Sequence, residues 1–219
     1  MLVNLNSKEC WAYMEIPRTG STTIDKKLRE LFPEAKAPVG KHWPCHVANV
    51  LAPLLEYVDG CPPVSRVVTI RNPYSRAVSC WQFFTVPHSI SFDGWLRDRL
   101  DVGFTDIMIE ARPQSFWYAL EHWTDVLHNE TLEVDLKRFL SRYNVPIDFE
   151  LKKLNASGSS WRNKLGFITT PVKDYSVHYT PQTIQLVQKL YLDDFNNLGY
   201  NLSFDAFMYD ASVSRSGRP

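Results

Sequence analysis

The sequence has no excess of charge of either sign, which excludes a broad class of partners. Lysine plus arginine and aspartate plus glutamate each number 24 among 219 residues, so the formal net charge is zero. A uniformly basic surface for nucleic acid or for an anionic membrane is therefore not expected, while a local basic site stays open. We expect no nucleic-acid partner and no membrane partner.

The sequence also has no long hydrophobic run and no leader pattern. No segment approaches the roughly 20 apolar residues that a membrane-spanning helix needs. The first residues, "MLVNLNSKEC", show no basic region followed by an apolar one, as a signal peptide would. These features predict a cytoplasmic location, or the Golgi lumen if the sequence is a domain taken from a longer protein.

Cysteines are few, and metal-ligand patterns are weak. The four cysteines are irregularly spaced, which favours buried free thiols over a disulfide framework. The stretch "KHWPCHVANV" brings His42, Cys45 and His46 together. A fourth ligand is not evident nearby, and three clustered ligands are weak evidence for zinc. We predict that the protein needs no metal.

The sequence does have ample apolar material and a regular alternation of elements. Hydrophobic residues make up 44% of the chain, enough for a single domain, which we predict over residues 1–210 with a flexible tail at 211–219. Strands are predicted in "CWAYMEI", "SRVVTIRNP" and "WTDVLH". Helices are predicted at 22–32, 46–57, 74–84, 92–100, 131–143 and, as one long helix, 180–200. This alternation predicts an α/β fold with a mostly parallel sheet, in which ligands bind at the carboxyl ends of the strands.

A first candidate anion site follows the first predicted strand, in "IPRTGSTTI". Gly20 permits a backbone conformation that other residues resist, and the helix that follows offers free N–H groups and a positive dipole end. Arg18 adds a cation with a planar donor fork. The candidate residues of this loop are Arg18, Thr19, Gly20, Ser21, Thr22 and Thr23. The alternative interpretation is a capped helix start without a ligand.

A second strand, turn and helix occur in "VVTIRNPYSRAVS". Arg71 stands at the strand end and Ser79 stands two turns into the predicted helix. These two side chains can converge on a further phosphate if the chain turns back at Asn72 and Pro73. Alternatively, Arg71 caps the strand and Ser79 only packs. Together the two loops indicate a ligand with phosphates at two separated places.

Both loops resemble segments of the sulfotransferases. "IPRTGSTTI" resembles their 5′-phosphosulfate-binding loop, and "VVTIRNPYSRAVS" resembles their 3′-phosphate-binding segment. "VLHNETLEVDLKRFL" is similar to the family's later strand–Glu–Leu–helix segment. "DYSVHYTPQTIQLVQKLYLDDFNNLGY" is similar to the closing helix of the carbohydrate (Golgi-type, uronyl/heparan-type) branch. The resemblance implies a P-loop-like three-layer fold. It also implies sulfuryl transfer from 3′-phosphoadenosine 5′-phosphosulfate (PAPS) to a hydroxyl acceptor, a glycan, with adenosine 3′,5′-bisphosphate (PAP) as product.

The resemblance also implies roles for residues outside the two loops. His46 is implied as the base, because Val47 follows it as in the uronyl-type enzymes, and His42 is the second choice, on the acceptor side. Gln114 resembles a Pro-Gln near the acceptor cleft, and Arg162 lies on a basic loop that closes over the donor. The alternatives are a helix cap for His46, loop residues for His42 and Arg162, and a helix start for Gln114.

One position departs from the family pattern, and two other functions stay open. Arg18 stands where lysine is usual, and it would stabilise the leaving 5′-phosphate with a different reach. A P-loop kinase would need a Gly-Lys-Ser/Thr sequence that "PRTGSTT" lacks. A non-catalytic nucleotide- or glycan-binding module of the same fold is the other alternative. Glu15, just before the first loop, is expected to be a structural partner of a nearby Arg or Lys.

Overall fold

The computed structural model describes residues 2–6, 9–34, 65–85, 89–104, 111–117, 124–151 and 175–206. The predicted helix at 46–57 and the predicted tail at 211–219 lie outside these residues. The chain forms two compact units, the first from residues 1–70 and 114–154 and the second from residues 71–113 and 155–219. A single domain over residues 1–210 therefore stays a prediction.

The first unit is built on a four-stranded sheet with the order β1-β2-β3-β4. The strands are β1 (Leu2–Asn6), β2 (Glu9–Met14), β3 (Ser65–Ile70) and β4 (Asp125–His128). Strand β1 runs antiparallel to β2, whereas β2, β3 and β4 run parallel. The predicted strands are confirmed, and β1 is an additional strand that the sequence analysis missed because its segment "LVNLN" is short and contains two asparagines.

The helices alternate with these strands as predicted. They are α1 (Ser21–Leu31), α2 (Pro73–Phe84), α3 (Phe92–Val102), α4 (Leu132–Ser141), α5 (Pro181–Leu190) and α6 (Leu192–Leu198). The α/β class, with a mostly parallel sheet flanked by helices, is confirmed. Among the described residues, the structure has no helix with both the length and the apolar character to cross a membrane.

The core of the first unit lies between the sheet and the helices α1 and α4. Alternate residues of a strand share one face, and Trp11 and Tyr13 are therefore buried on the same side. The Trp11 ring meets Phe32 and Phe139 edge to face, with ring centroids 5.4 and 5.1 Å apart. The Tyr13 hydroxyl lies 3.0 Å from the hydroxyl of Thr69 on β3, so its one polar atom has a buried partner.

The core of the second unit is formed by α2, α3, α5 and α6 around buried aromatic residues such as Trp81 and Trp95. The predicted N-terminus of the closing helix is confirmed, because Thr180 forms a capping box with Thr183. The prediction of one long helix is wrong, since Tyr191 interrupts it between α5 and α6. Tyr191 is fully buried and its hydroxyl donates to the Ala111 carbonyl at 2.9 Å, a tertiary contact that local periodicity does not reveal.

We expect Leu136→Ala on α4 to destabilise the protein by about 3 kcal/mol, because it removes a buried side chain and leaves a cavity. Leu136 is 0% exposed within the first core, whereas Val134 on the same helix is 57% exposed. Val134→Ala is the matched control, and we expect a change within about 0.5 kcal/mol. Urea unfolding of both variants measures the difference. Equal losses would contradict the assignment of this helix face to the core.

Candidate functional site

The turn between β2 and α1, here called the first loop (residues 17–20), has an unusual backbone. Arg18 has a φ of 66° and Gly20 a φ of 91°, so two of its residues are left-handed. Glycine adopts this conformation without strain, whereas it costs an arginine about 1–2 kcal/mol. Strained backbone of this kind is concentrated in functional loops. Arg18 and Gly20 are both residues that the sequence predicted as ligand-binding.

The N-terminus of α1 is built differently from that of most other helices. Its N-cap, Gly20, supplies no side-chain hydrogen bond, and its first turn has no acidic residue. Helices α2, α3 and α5 begin with side-chain caps, and α4 carries Glu133 and Asp135 in its first turn. Helix α1 thus has neither a side-chain cap nor an acidic residue in its first turn to compensate the positive end of its dipole. An anion is the partner that such a helix end favours.

The predicted first-loop residues come together around this helix start. Thr22 is exposed, Arg18 is half-buried, and Ser21 and Thr23 are buried. Thr19 is fully buried and its hydroxyl donates to the Ile16 carbonyl at 2.8 Å. The hydroxyl of Thr19 therefore stabilises the turn, and any contact with a ligand would have to come from its backbone.

Asn129 is a residue of this site that sequence reasoning missed. It directly follows β4, and its side-chain amide donates to the Thr19 carbonyl at 2.9 Å. Only the position of Asn129 after a strand could have indicated it, since the carboxyl ends of parallel strands meet at one edge of a sheet. The first polar residue after β4 was therefore a candidate neighbour of the first loop.

The predicted phosphate residues of the second unit lie in what we call the second segment (residues 71–79). Asn72 caps α2, because its side-chain oxygen accepts from the Tyr74 N–H at 2.9 Å. Arg71 Nε donates to Ser75 Oγ at 2.9 Å, and Ser75 Oγ donates to the Asn72 carbonyl at 3.1 Å. Ser75 was also missed, although it stands one helical turn before Ser79 on the same helix face.

The side chains of the second segment are buried. Arg71 and Ser79 are only 9% and 2% exposed. The Arg71 guanidinium lies over the ring of Tyr175, 5.1 Å from the ring centre, in a cation–π contact. Arg76 is fully buried and its Nη1 donates to the Arg112 carbonyl at 2.9 Å, so it supports the fold.

The other predicted site residues have mixed outcomes. His42, His46 and Arg162 lie outside the described residues. Gln114 is fully buried in the first unit and begins a short 3-10 turn. The Gln114 carbonyl accepts from the Trp117 N–H. A role for Gln114 toward an acceptor stays a prediction. Within the described ranges, no cluster of three or more His, Cys, Asp or Glu could hold a metal ion.

Comparison with known proteins decides the family. A sequence model described as the Sulfotransferase family matches residues 5–201, which include both the first loop and the second segment. The chain belongs to the sulfotransferase family. No curated protein and no solved structure matches it. Sulfotransferases transfer a sulfuryl group, so the family membership assigns this chain to the transferases.

A carboxylate cluster lies beside the first loop of this sulfotransferase. Desolvation and the neighbouring Asp25 carboxylate raise the pKa of Glu15 from its ordinary value of 4.5 to about 7. Asp25 in turn accepts from Arg29 Nε at 3.0 Å. Glu15 was expected to be a structural partner of a nearby Arg or Lys, and the positive charge of Arg29 does lower the pKa of Glu15, against the larger effects of burial and of Asp25. The carboxyl group just after β2 is thus coupled electrostatically to side chains of α1.

We expect Glu15→Gln to remove part of the pH dependence of stability in this sulfotransferase. A carboxyl group whose pKa is raised by folding binds more protons in the native state, so stability falls as pH rises from about 4.5 to 7. The Glu15 side chain is exposed; we therefore discount the full shift and expect a loss of about 1 kcal/mol in the wild type between about pH 5 and pH 8. Urea unfolding at both pH values measures the loss.

The variant should lose less stability over this interval than the wild type. Glu34→Gln, which changes an exposed glutamate just after α1, is the control and should behave as the wild type does. An unchanged pH slope in Glu15→Gln would show that folding does not raise the pKa of Glu15.

Proposed function

We propose that this sulfotransferase takes its sulfuryl group from PAPS and transfers it to a hydroxyl group of a carbohydrate. The observation that carries the proposal is the start of α1, where a left-handed Gly20 gives no side-chain cap and the first turn has no acidic residue. A phosphate or phosphosulfate fits this helix end by charge and by hydrogen bonding. Family membership supports the reaction type.

In this proposal the first loop holds the 5′-phosphosulfate of the donor. The bond between the sulfur and the bridging phosphate oxygen breaks, while a bond forms between the sulfur and the acceptor oxygen. Negative charge then develops on the departing 5′-phosphate. Arg18 and the N-terminus of α1 stabilise that charge, as cations and oriented N–H groups do in phosphoryl transfer. The acceptor proton passes to a base, for which His46 remains our choice.

The second segment holds the 3′-phosphate in the same proposal. Arg71 offers a planar fork that suits a phosphate, and its hydrogen bond to Ser75 and its cation–π contact with Tyr175 limit the orientations of that fork. Ser79 adds a hydroxyl donor on the same helix face. Arg162 remains the proposed contact from a more distant loop, and no step of the scheme requires a metal.

The acceptor is the least constrained part of the proposal. The carbohydrate-type resemblance of the closing helix supports a sugar hydroxyl as the acceptor. In the stretch "CWQFFTVPHSISFDGW", the half-buried Phe83 and Phe84 suit stacking on sugar rings, whereas the other aromatic side chains lie in the core. His42 and Gln114 are proposed to contact the acceptor rather than the donor.

We expect PAP to bind the purified protein in EDTA, much more tightly than AMP, in a calorimetric titration. Arg71→Ala should weaken PAP binding about 10- to 100-fold, because it removes charged hydrogen bonds to the 3′-phosphate. Arg97→Ala is the matched control in the second unit, since Arg97 on α3 is exposed and pairs with Asp93 at 2.8 Å. Its affinity for PAP should equal that of the wild type.

Two results would contradict the proposed donor. Failure of the wild-type protein to bind PAP would exclude PAPS as the substrate. Binding of ATP only in the presence of magnesium would instead favour a phosphotransferase. Tight PAP binding without sulfuryl transfer to any sugar hydroxyl would favour the non-catalytic module.

A further inference from the structure

We propose that Asn129 is a positioning residue, which holds the first loop in the conformation that grips the 5′-phosphate. The inference rests on the proposed function. Asn129 acts through the backbone of Thr19 and has no assigned role in the reaction. It lies in the turn Asn129–Thr131, between β4 and α4.

Asn129 makes a direct contact with the first loop. The Asn129 side-chain amide donates to the Thr19 carbonyl at 2.9 Å, across 110 residues of sequence. The Thr19 side chain is fixed as well, by its 2.8 Å hydrogen bond to the Ile16 carbonyl. Thr19, at the centre of the first loop, is therefore held both by Ile16, just after β2, and by Asn129, just after β4.

Gly20 packs directly on the Asn129 side chain. A Cβ atom at Gly20 would lie 2.5 Å from the Asn129 Nδ2 and 3.2 Å from the Leu132 side chain. The first distance is far below any normal contact between nonbonded atoms, so a side chain at position 20 would expel the Asn129 amide. Gly20 is thus required for two reasons, its left-handed φ of 91° and the close approach of Asn129.

The hydrogen bond from Asn129 to the Thr19 carbonyl also bears on phosphate binding. Because a trans peptide is planar, its carbonyl and its N–H point in opposite directions. A hydrogen bond from Asn129 to the Thr19 carbonyl therefore also fixes the direction of the Gly20 N–H, which becomes a pre-oriented donor of the first loop. An amide is suited to this task because it donates a hydrogen bond without adding negative charge beside an anion site.

The test compares two ligands that differ only in the 5′-phosphate. We expect Asn129→Leu, which keeps a similar side-chain shape and removes the donor without adding a charge, to weaken PAP binding about tenfold or more in calorimetric titration. The affinity for adenosine 3′-monophosphate should stay unchanged. A change in this ratio reports on the grip on the 5′-phosphate, whereas a general loss of stability would weaken both ligands.

Asn144→Ala is the matched control, because Asn144 follows α4 with a φ of 55° and its replacement strains the backbone of the same unit. We expect this variant to lose stability but to keep the wild-type ratio. Asn129→Ala gives a second measurement of the ratio if Asn129→Leu does not fold. Absence of PAP binding in the wild type would overturn the proposed function itself. Tight wild-type binding with an unchanged ratio in the Asn129 variants would overturn only the role of Asn129.

Discussion

The parallel pairing of β2, β3 and β4 is the constraint on which the first loop depends. Their registers place Met14 opposite Val68 and Ile70 opposite His128, so the strands end at one edge of the sheet. The residues that follow β2 and β4 are thereby brought within hydrogen-bond distance, as the contact between Thr19 and Asn129 shows. The hydrogen bond from Asn129 fixes the carbonyl of Thr19, which stands between the left-handed residues Arg18 and Gly20.

The two phosphate-type segments are organised by different physical means. Helix α1 begins at a glycine, so backbone N–H groups and the helix dipole are the attractive elements there. Helix α2 satisfies its own N-terminus through Asn72, and its attraction for an anion must therefore come from side chains, chiefly Arg71 with Ser75. In the proposed function, the first arrangement would place backbone donors and Arg18 around a group whose charge changes during the reaction. The second would place a fixed cation where a spectator phosphate needs only to be anchored.

Much of the fold and part of the candidate site were predictable from the sequence, because the signals for these parts lie between neighbouring residues. The first loop was found because strand, glycine and helix start are adjacent in "IPRTGSTTI", and helix caps such as Thr180 are equally local. Asn129 was missed because its contact spans 110 residues. The interruption at Tyr191 was missed because no Gly or Pro marks it, and the tertiary hydrogen bond of Tyr191 is not visible in the local sequence. Patterns of neighbouring residues reveal local structure, whereas register and side-chain partners depend on the assembled sheet.

The most direct test of the central claim is the amide NMR signal of the first turn of α1. If the 5′-phosphate binds there, the N–H resonances of Ser21 and Thr22 should shift strongly when PAP is added, because hydrogen bonds to an anion move amide protons downfield. Adenosine 3′-monophosphate should leave them nearly unchanged. Saturable PAP binding without any shift at these two residues would contradict the account, since the phosphate would then lie elsewhere.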